Sequence, residues 1–393
     1  MKAETVKAYK IPIEPPMDLI DAYFKIKSIA LKEILSYVSY SKSGKAHLHF
    51  NTENRRVLRS TLLKDWRYAK HYVDSAINSV MGLVKGWIKL YNRGKAKSKP
   101  KITRKTVYVK STLFSYKNGI IRISVEPNRR YLEVDLRSYN WVPKDFDKIG
   151  GLILTEKELI VTVKREIKLE KPESWASFDV NMTNITALIN GKIIRYDLKK
   201  LYHIHRVYEE KRRRIQKLSK YKPKTAERLI QKYSKREKNR ANDFMHKLTT
   251  MTTRELRRFA SGAILENLRN IKGRILNGSR VLNRKLSKWN ARRFQFMLEY
   301  KLRWFGLPVK YVNPKNSSKT CPLCSGRMAA YEGRLIRCKK CHLILDRDVV
   351  AVLNLQMWGS GVTPKALLGA SASMMGKRSV DKNSFISMKV YQP

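Results

Sequence analysis

Cysteine is scarce in this 393-residue chain. There are four, all in the last fifth, arranged as Cys321-x-x-Cys324 and Cys338-x-x-Cys341 with thirteen residues between the pairs. Thiols at that spacing read as metal ligands of a reducing compartment, which excludes a disulfide-framed secreted scaffold. Acids are also few, 32 Asp+Glu against 84 Lys+Arg, for a formal charge of +52. Such an excess points to a polyanionic partner, because each neutralised phosphate releases counterions. A membrane surface is the rival polyanion, but the basic residues run through the whole chain rather than forming one short patch, which favours nucleic acid. No apolar run reaches the roughly 18–20 residues of a membrane span. The first residues, Met1–Thr5, lack the apolar stretch of a signal peptide. An intracellular protein of the cytoplasm or nucleoid, without a membrane partner, is therefore expected. What the chain does have is 42% hydrophobic residues, enough for a real core in two or more modules.

Residues 4–13 alternate as a strand before Pro15-Pro16, and Asp18 is the expected N-cap of the helix that follows. Tyr23, Ile26, Ala30, Ile34 and Val38 keep helical spacing, and a second apolar stripe runs from Val73 to Tyr91 before Asn92-Arg93-Gly94. After a Lys-rich link, residues 107–110, 113–116, 120–125, 131–136, 151–154 and 158–164 read as short strands, with Asn118-Gly119 as a hairpin turn. A small barrel or curled sheet is expected, the helical hairpin being inserted after its first strand. From Trp175 three more strands follow, at 175–180, 185–188 and 193–196. Residues 199–240 then carry 17 Lys+Arg against 4 acids, divided by Pro223 into two helical stretches. Such a run can be a solvated face, but the imbalance favours a face that tracks phosphates, with Arg212, Arg213, Arg214 and Lys217 as candidate contacts. Residues 263–265 form a short strand into Glu266, 291–305 a helix and 309–312 a strand. Beyond residue 360 the chain is rich in Gly, Ser, Met and Lys without periodicity, and disorder is expected there.

Two C-x-x-C knuckles supply the four thiolates of a tetrahedral Zn²⁺. With every position filled by protein, the zinc would be structural, since none is left for water. His342 could replace a cysteine or stand by, and redox chemistry is a more distant alternative. The acids are weaker signals. Asp179 ends an apolar strand, Glu266 ends another, and Asp346 and Asp348 open a helix. Taken singly, each serves as a cap, a turn residue or a helix-dipole acid. Taken together, buried carboxylates from separate elements repel one another unless a cation joins them. Two strand-end acids and one at a helix start are how a ribonuclease H-like fold holds two divalent ions. Carboxylate oxygens suit Mg²⁺.

Asp179-Val180-Asn181, with Asn184 and Ile185 after it, resembles the first motif of the RuvC-type nuclease domain of TnpB proteins, the OrfB group of insertion sequences. Ile264-Leu265-Glu266-Asn267-Leu268 resembles the second. Ser317-Ser318-Lys319-Thr320-Cys321-Pro322-x-Cys324 resembles the lead into the family's zinc ribbon, and Asp346-Arg347-Asp348-Val349 with Asn354-Leu355 its third motif. Asn242-Asp243-Phe244-x-His246-Lys247-Leu248 matches its basic helix. The match covers residues 170–358 by motif. The resemblance implies an α+β multidomain protein. A wedge β-barrel (1–14 and 101–170) would carry an inserted helical recognition lobe (15–100). A RuvC-like α/β domain (171–312 and 342–360) would follow, with an inserted zinc ribbon (313–341) and a disordered tail (361–393). It also implies an RNA-guided DNA endonuclease. The partners would be a guide RNA from the transposon end, double-stranded target DNA beside a short adjacent motif, and a transposase of the same element. Asp179, Glu266 and Asp348 would hold two Mg²⁺ or Mn²⁺ ions, and Cys321, Cys324, Cys338 and Cys341 one Zn²⁺. Asp348 is preferred to Asp346 because the family's acid stands two residues before an Asn-Ala-Ala. Here Val350 and Val352 stand where the family has Asn and Ala. The alternative is a relative that binds DNA under RNA guidance as a regulator without cutting.

Overall fold

The sequence pattern divides the chain at about residue 170. In the computed structural model, which describes residues 2–269, 271, 276, 278–361 and 389–391, Glu4–Glu166 form one unit, and the chain from Ile167 onward, with the residues before Glu4, the other. The first unit opens with β1 (Lys2–Pro12), α1 (Met17–Ser36), a short hairpin β2 (Val38–Tyr40) and β3 (Ala46–Leu48), α2 (Thr52–Leu63) and α3 (His71–Tyr91). Strands β4 (Thr106–Val109), β5 (Phe114–Lys117), β6 (Ile120–Glu126), β7 (Arg130–Asp135), β8 (Lys148–Thr155) and β9 (Glu158–Lys168) follow. The helices lie, in sequence, between two strands of one sheet, whose order is β1-β9-β8-β4. Among the described residues the strands β1 and β4–β9 form two sheets rather than one continuous barrel, because β5-β6-β7 pair only with each other. Their first turn is local and tight: Asn118 and Gly119 both take left-handed φ, +52° and +82°, as a two-residue hairpin loop requires.

Two local details depart from the sequence pattern. The cap of α1 is Pro16, not Asp18; Asp18 lies in the first turn and accepts hydrogen bonds from Arg67, Tyr68 and Arg130 instead. Helix α2 escapes a periodicity search because only Leu58 and Leu62 are buried on it. A reciprocal capping box between Asn51 and Asn54 defines its start.

The second unit is built on a mixed sheet. Its strands are β10 (Ser174–Val180), β11 (Asn184–Ile189), β12 (Lys192–Asp197), β13 (Ser261–Glu266), β14 (Val309–Val312) and, from the expected tail, β18 (Lys389–Tyr391). The order is β14-β13-β10-β11-β12-β18. Strands β13 and β14 run parallel to β10, while β11 is antiparallel to both β10 and β12. Apart from β18, which lies along β12, and Gly361, the expected tail falls outside the described residues.

Alternation assigns the two faces. Ala176, Phe178, Val180, Ile185, Ala187, Ala263 and Leu265 point one way, onto Phe244, Met245 and Leu248 of α5 (Pro223–Arg258) and Phe294, Leu298 and Leu302 of a later helix (Ala291–Trp304). Helix α4 (Lys199–Leu218) completes that layer. Between α5 and the Ala291–Trp304 helix, which is α7, lies the short α6 (Arg280–Ser287). The opposite face carries Ser177, Asp179, Thr186, Leu188 and Ile264. It packs on α8 (Arg347–Ser360), where Leu188 meets Val349, Val352 and Leu353. Helix α8 approaches closely at Gly359, where an added Cβ would lie 2.7 Å from Ile264. A small three-stranded sheet, β15 (Met328–Glu332), β16 (Leu335–Cys338) and β17 (Ile344–Asp346), precedes α8. Among the described residues no helix is long and apolar enough to cross a membrane.

Candidate active site and metal centre

In the parallel β10–β13 pair, Ser177 faces Ile264 and Phe178 faces Leu265. One step further brings Asp179 beside Glu266, both at C-terminal strand ends and both on the α8 face. Residues beyond the carboxyl ends of parallel strands are where open α/β sheets bind ligands. The third acid, Asp348, lies in the first turn of α8, with Asp346 as N-cap accepting the Asp348 N–H at 2.8 Å. Asp179, Glu266 and Asp348 line one cleft of about 440 Å³, with Asn181, Arg334 and Arg347 on its walls.

Burial there works against ionisation. Asp179 is pushed up to about 7, first by desolvation and then by the charge of Asp348, while the Asn181 amide pulls the other way. Glu266 is pushed up to about 8 by desolvation and by Asp179. Asp179 is therefore the middle acid, felt by the one and feeling the other. The three acids share the cleft, but they do not form a cluster with every ligand atom within 4.8 Å; among the described residues the four cysteines do. Positive charge fills part of the gap. The guanidinium of Arg334 bonds Asp348 and lies 3.5 Å from Asp346. Arg195 stands on the same sheet face as Asp179, through the register Asp179–Thr186–Arg195, and lies 3.3 Å from Asp346 and 3.9 Å from Asp348. Sequence reasoning missed both arginines. Neither belongs to a periodic or spaced pattern, since only the sheet register and the ribbon's turn aim them at α8.

The cysteine site is built from two matching knuckles. In each, the N–H of the residue after the second cysteine donates to the carbonyl of the first: Ser325 to Cys321 at 3.0 Å, His342 to Cys338 at 3.2 Å. Both residues are left-handed, φ +57° and +60°. His342 is thus the exposed turn residue of its knuckle, outside the ligand cluster. The sulfurs of Cys321 and Cys341 are 3.6 Å apart, those of Cys324 and Cys338 3.5 Å. Tetrahedral zinc with bonds of about 2.3 Å sets its sulfurs roughly 3.8 Å apart, so the donor set fits. Gly326 clears the space: a Cβ there would lie 3.1 Å and 3.2 Å from two of the sulfurs. Burial opposes the thiolate at Cys338, yet the amides of Cys341 and Lys340 aimed at its sulfur bring it down to about 6.

The ribbon is fastened to α8. Val350 is fully buried among Cys321, Met328, Ile336 and Cys338, and Asn354 donates to the carbonyls of Ser317 and Thr320 at 2.6 and 2.7 Å. Val352 packs against the sheet on the other side of the helix.

Of the basic residues singled out from sequence, Arg213, Arg214 and Lys217 are exposed on α4. Arg212 is turned inward, bonded to Glu237 of α5, which also accepts from His205.

A mixed α/β chain in two units, with a carboxylate cleft at its strand ends and a four-cysteine site beside it, has the fold seen in Cas12 effectors. A Cas12f1–guide RNA–target DNA complex aligns with a TM-score of 0.56 at 14% identity, covering 86% of this chain and 81% of that one. The mini-RNA-guided endonuclease Cas-phi3 aligns at 0.51 and 11%, covering 90% and 92%. At such identities the likeness is one of fold. Family models match in three stretches: the uncharacterized MJ0013 family at residues 19–124, the OrfB_IS605 probable transposase at 158–267, and the Cas12f1-like TNB domain at 292–355. One TnpB-like protein of Methanocaldococcus jannaschii is 34% identical over 256 residues, 62% of this chain and 92% of that protein. A second is 31% identical over 385 residues, 95% and 89%. The chain belongs to the TnpB-like, transposase-associated family.

Proposed function

We propose that this chain is a transposon-associated, RNA-guided DNA endonuclease whose second unit is a ribonuclease H-like, RuvC-type nuclease core. The observation that carries the reading is the convergence of Asp179, Glu266 and Asp348, from two strand ends and a helix start, on one cleft. Two of them, Asp179 and Glu266, are pushed well above the ordinary carboxylate range by burial and by a neighbouring acid. Carboxylates placed so gain stability from a cation. These three would hold two Mg²⁺ or Mn²⁺ ions. Bound there, such ions supply an activated water and stabilisation of the leaving oxygen of a phosphodiester. Arg334 and Arg347, lining the same cleft, attract the phosphate. Cys321, Cys324, Cys338 and Cys341 would hold one structural zinc, and the chain's +52 charge suits RNA and DNA together. One structural neighbour is a complex with guide RNA and target DNA and the other an RNA-guided endonuclease, which supports a guide RNA from the transposon end and double-stranded DNA as partners. Residues 15–100 would be the recognition lobe and the strands of 1–14 and 101–170 the wedge; 313–341 would be the zinc ribbon of the nuclease unit.

Binding without cutting is the other reading, and it rests on Val350 and Val352. Both side chains pack into cores, one in the ribbon and one against the sheet, and Ala351 between them is the residue that lines the cleft. That packing favours the nuclease. The test is to purify the protein with its co-purifying RNA and offer a plasmid matching the guide, with Mg²⁺. Cleavage that disappears in Asp179→Ala is the expected result. Binding without cutting under any divalent ion would overturn it in favour of a regulator, and absence of RNA would point to a DNA-binding zinc-ribbon protein.

A further inference from the structure

The turn between β10 and β11 is held more tightly than a connection needs. The Asn181 N–H donates to the Asn184 carbonyl at 2.9 Å, closing the turn, and the Leu198 N–H donates to the Thr183 carbonyl at 2.8 Å, pinning it where the chain enters α4. The amides at its two ends then reach in different directions. Asn181 Nδ2 donates to Asp179 Oδ2 at 2.8 Å. Asn184 Nδ2 donates to Asp348 Oδ2 at 3.1 Å and to Thr186 Oγ1 at 3.3 Å. Strand parity explains the reach: Asn184, Thr186 and Leu188 alternate onto the face that packs on α8. Asp179 and Asp348 come from elements far apart in the chain, yet one short turn grips both. An ionised carboxylate only accepts hydrogen bonds, so the NH₂ end of each asparagine is the end that serves here.

We propose that Asn181 and Asn184 are paired positioning residues, which set the separation of Asp179 and Asp348 for divalent-ion binding. This rests on the metal-binding reading of the acids given above. Each donates to the Oδ2 oxygen of its aspartate, and on Asp348 that oxygen also accepts from Arg334. Because the turn is closed and pinned, the two aspartates are held against their mutual repulsion in one geometry. Groups that orient ligands in this way typically contribute 10–100-fold to metal affinity or activity.

The test is a Mn²⁺ titration of the zinc-loaded full chain, followed by the paramagnetic resonance of free Mn²⁺. Asn184→Ala is expected to weaken Mn²⁺ binding by about 10–100-fold, while Thr183→Ala, an exposed side chain of the same turn, leaves it unchanged. Zinc content and thermal midpoint are followed in each variant, so that a fold defect is seen as such. Should Asn184→Ala lose its zinc or its cooperative transition, Asn181→Ala makes the same measurement from the other end of the turn. Folded, zinc-loaded variants that bind Mn²⁺ as wild type does would overturn the positioning role alone. Wild type that takes up no Mn²⁺, or Asp179→Ala that takes it up equally well, would remove the metal site itself and the positioning role with it.

Discussion

Asp179→Asn and Glu266→Gln are each expected to raise the thermal midpoint of the protein, in buffer without added divalent ions at pH 8, by roughly 5 °C. The same substitutions are expected to cut RNA-guided DNA cleavage by on the order of 10³-fold or more. The two effects share one cause. Asp179 and Glu266 are pushed up to about 7 and about 8 by burial and by the neighbouring acid. Between the ordinary carboxylate range near 4 and those values, the folded state binds more protons than the unfolded chain. Stability is then fully present at about pH 4 and is lost as pH rises through 7 to 8. A neutral amide of the same shape removes that loss, so the variant's stability should be flatter over this window. It also removes a ligand oxygen, so the cleft cannot gather the charge that the chemistry needs. Melting curves from pH 4.5 to 8.5 without added Mg²⁺ check the first effect, and plasmid cleavage with Mg²⁺ the second. An isostere that melts lower than wild type at pH 8 and still cuts would mean that the acids are not a strained, functional cluster.

The second large effect concerns the cysteines. Cys338→Ser is expected to abolish zinc binding, one equivalent per chain in the wild type, and to remove cleavage with it. Structural zinc contributes about 10–16 kcal/mol in small zinc-folded peptides, as much as the whole stability of an ordinary domain. Around these sulfurs the ribbon has little else, a few side chains such as Met328, Ile336 and Val350. Loss of the knuckle would also loosen the ribbon side of α8, because Val350 and the two hydrogen bonds of Asn354 join the helix to the ribbon, while Val349, Val352 and Leu353 keep it on the sheet. Asp348 lies two residues before Val350 on that helix, so its position would depend on a metal bound only by the cysteines. Zinc analysis and hydrogen exchange across residues 347–355 measure this directly. A zinc-free variant with unchanged exchange in α8 and undiminished cleavage would show that the ribbon is dispensable to the carboxylate cleft.

Much of the arrangement is legible in the residues. The spacing of the cysteines is a matter of local geometry, and the structure gathers their sulfurs within 4.8 Å. Asn118-Gly119 dictates its own turn, because few other pairs accept left-handed φ twice. Asp179 and Glu266 stand at strand ends because apolar strands stop where a charge must reach the rim. Other features left no trace in the periodicity. Helix α2, with two buried leucines, depends on its cap; β18 depends on an edge of β12 remaining open to it. Asp18 looks like a cap because a helix follows, yet three distant donors claim it.

By itself, then, the sequence determined the period-driven and spacing-driven parts: which stretches alternate, where the knuckles fold, and which acids end up at element boundaries. Only the tertiary structure decided which acids share a cleft and which stands between the others. It alone showed that Arg195, Arg334, Asn181 and Asn184 surround them, and that Val350 belongs to the ribbon's core. The physical reason is range. Hydrogen-bonded turns and hydrophobic periodicity act over a few residues. Burial and charge–charge interaction depend on distance in space, and here they link groups from opposite ends of the second unit.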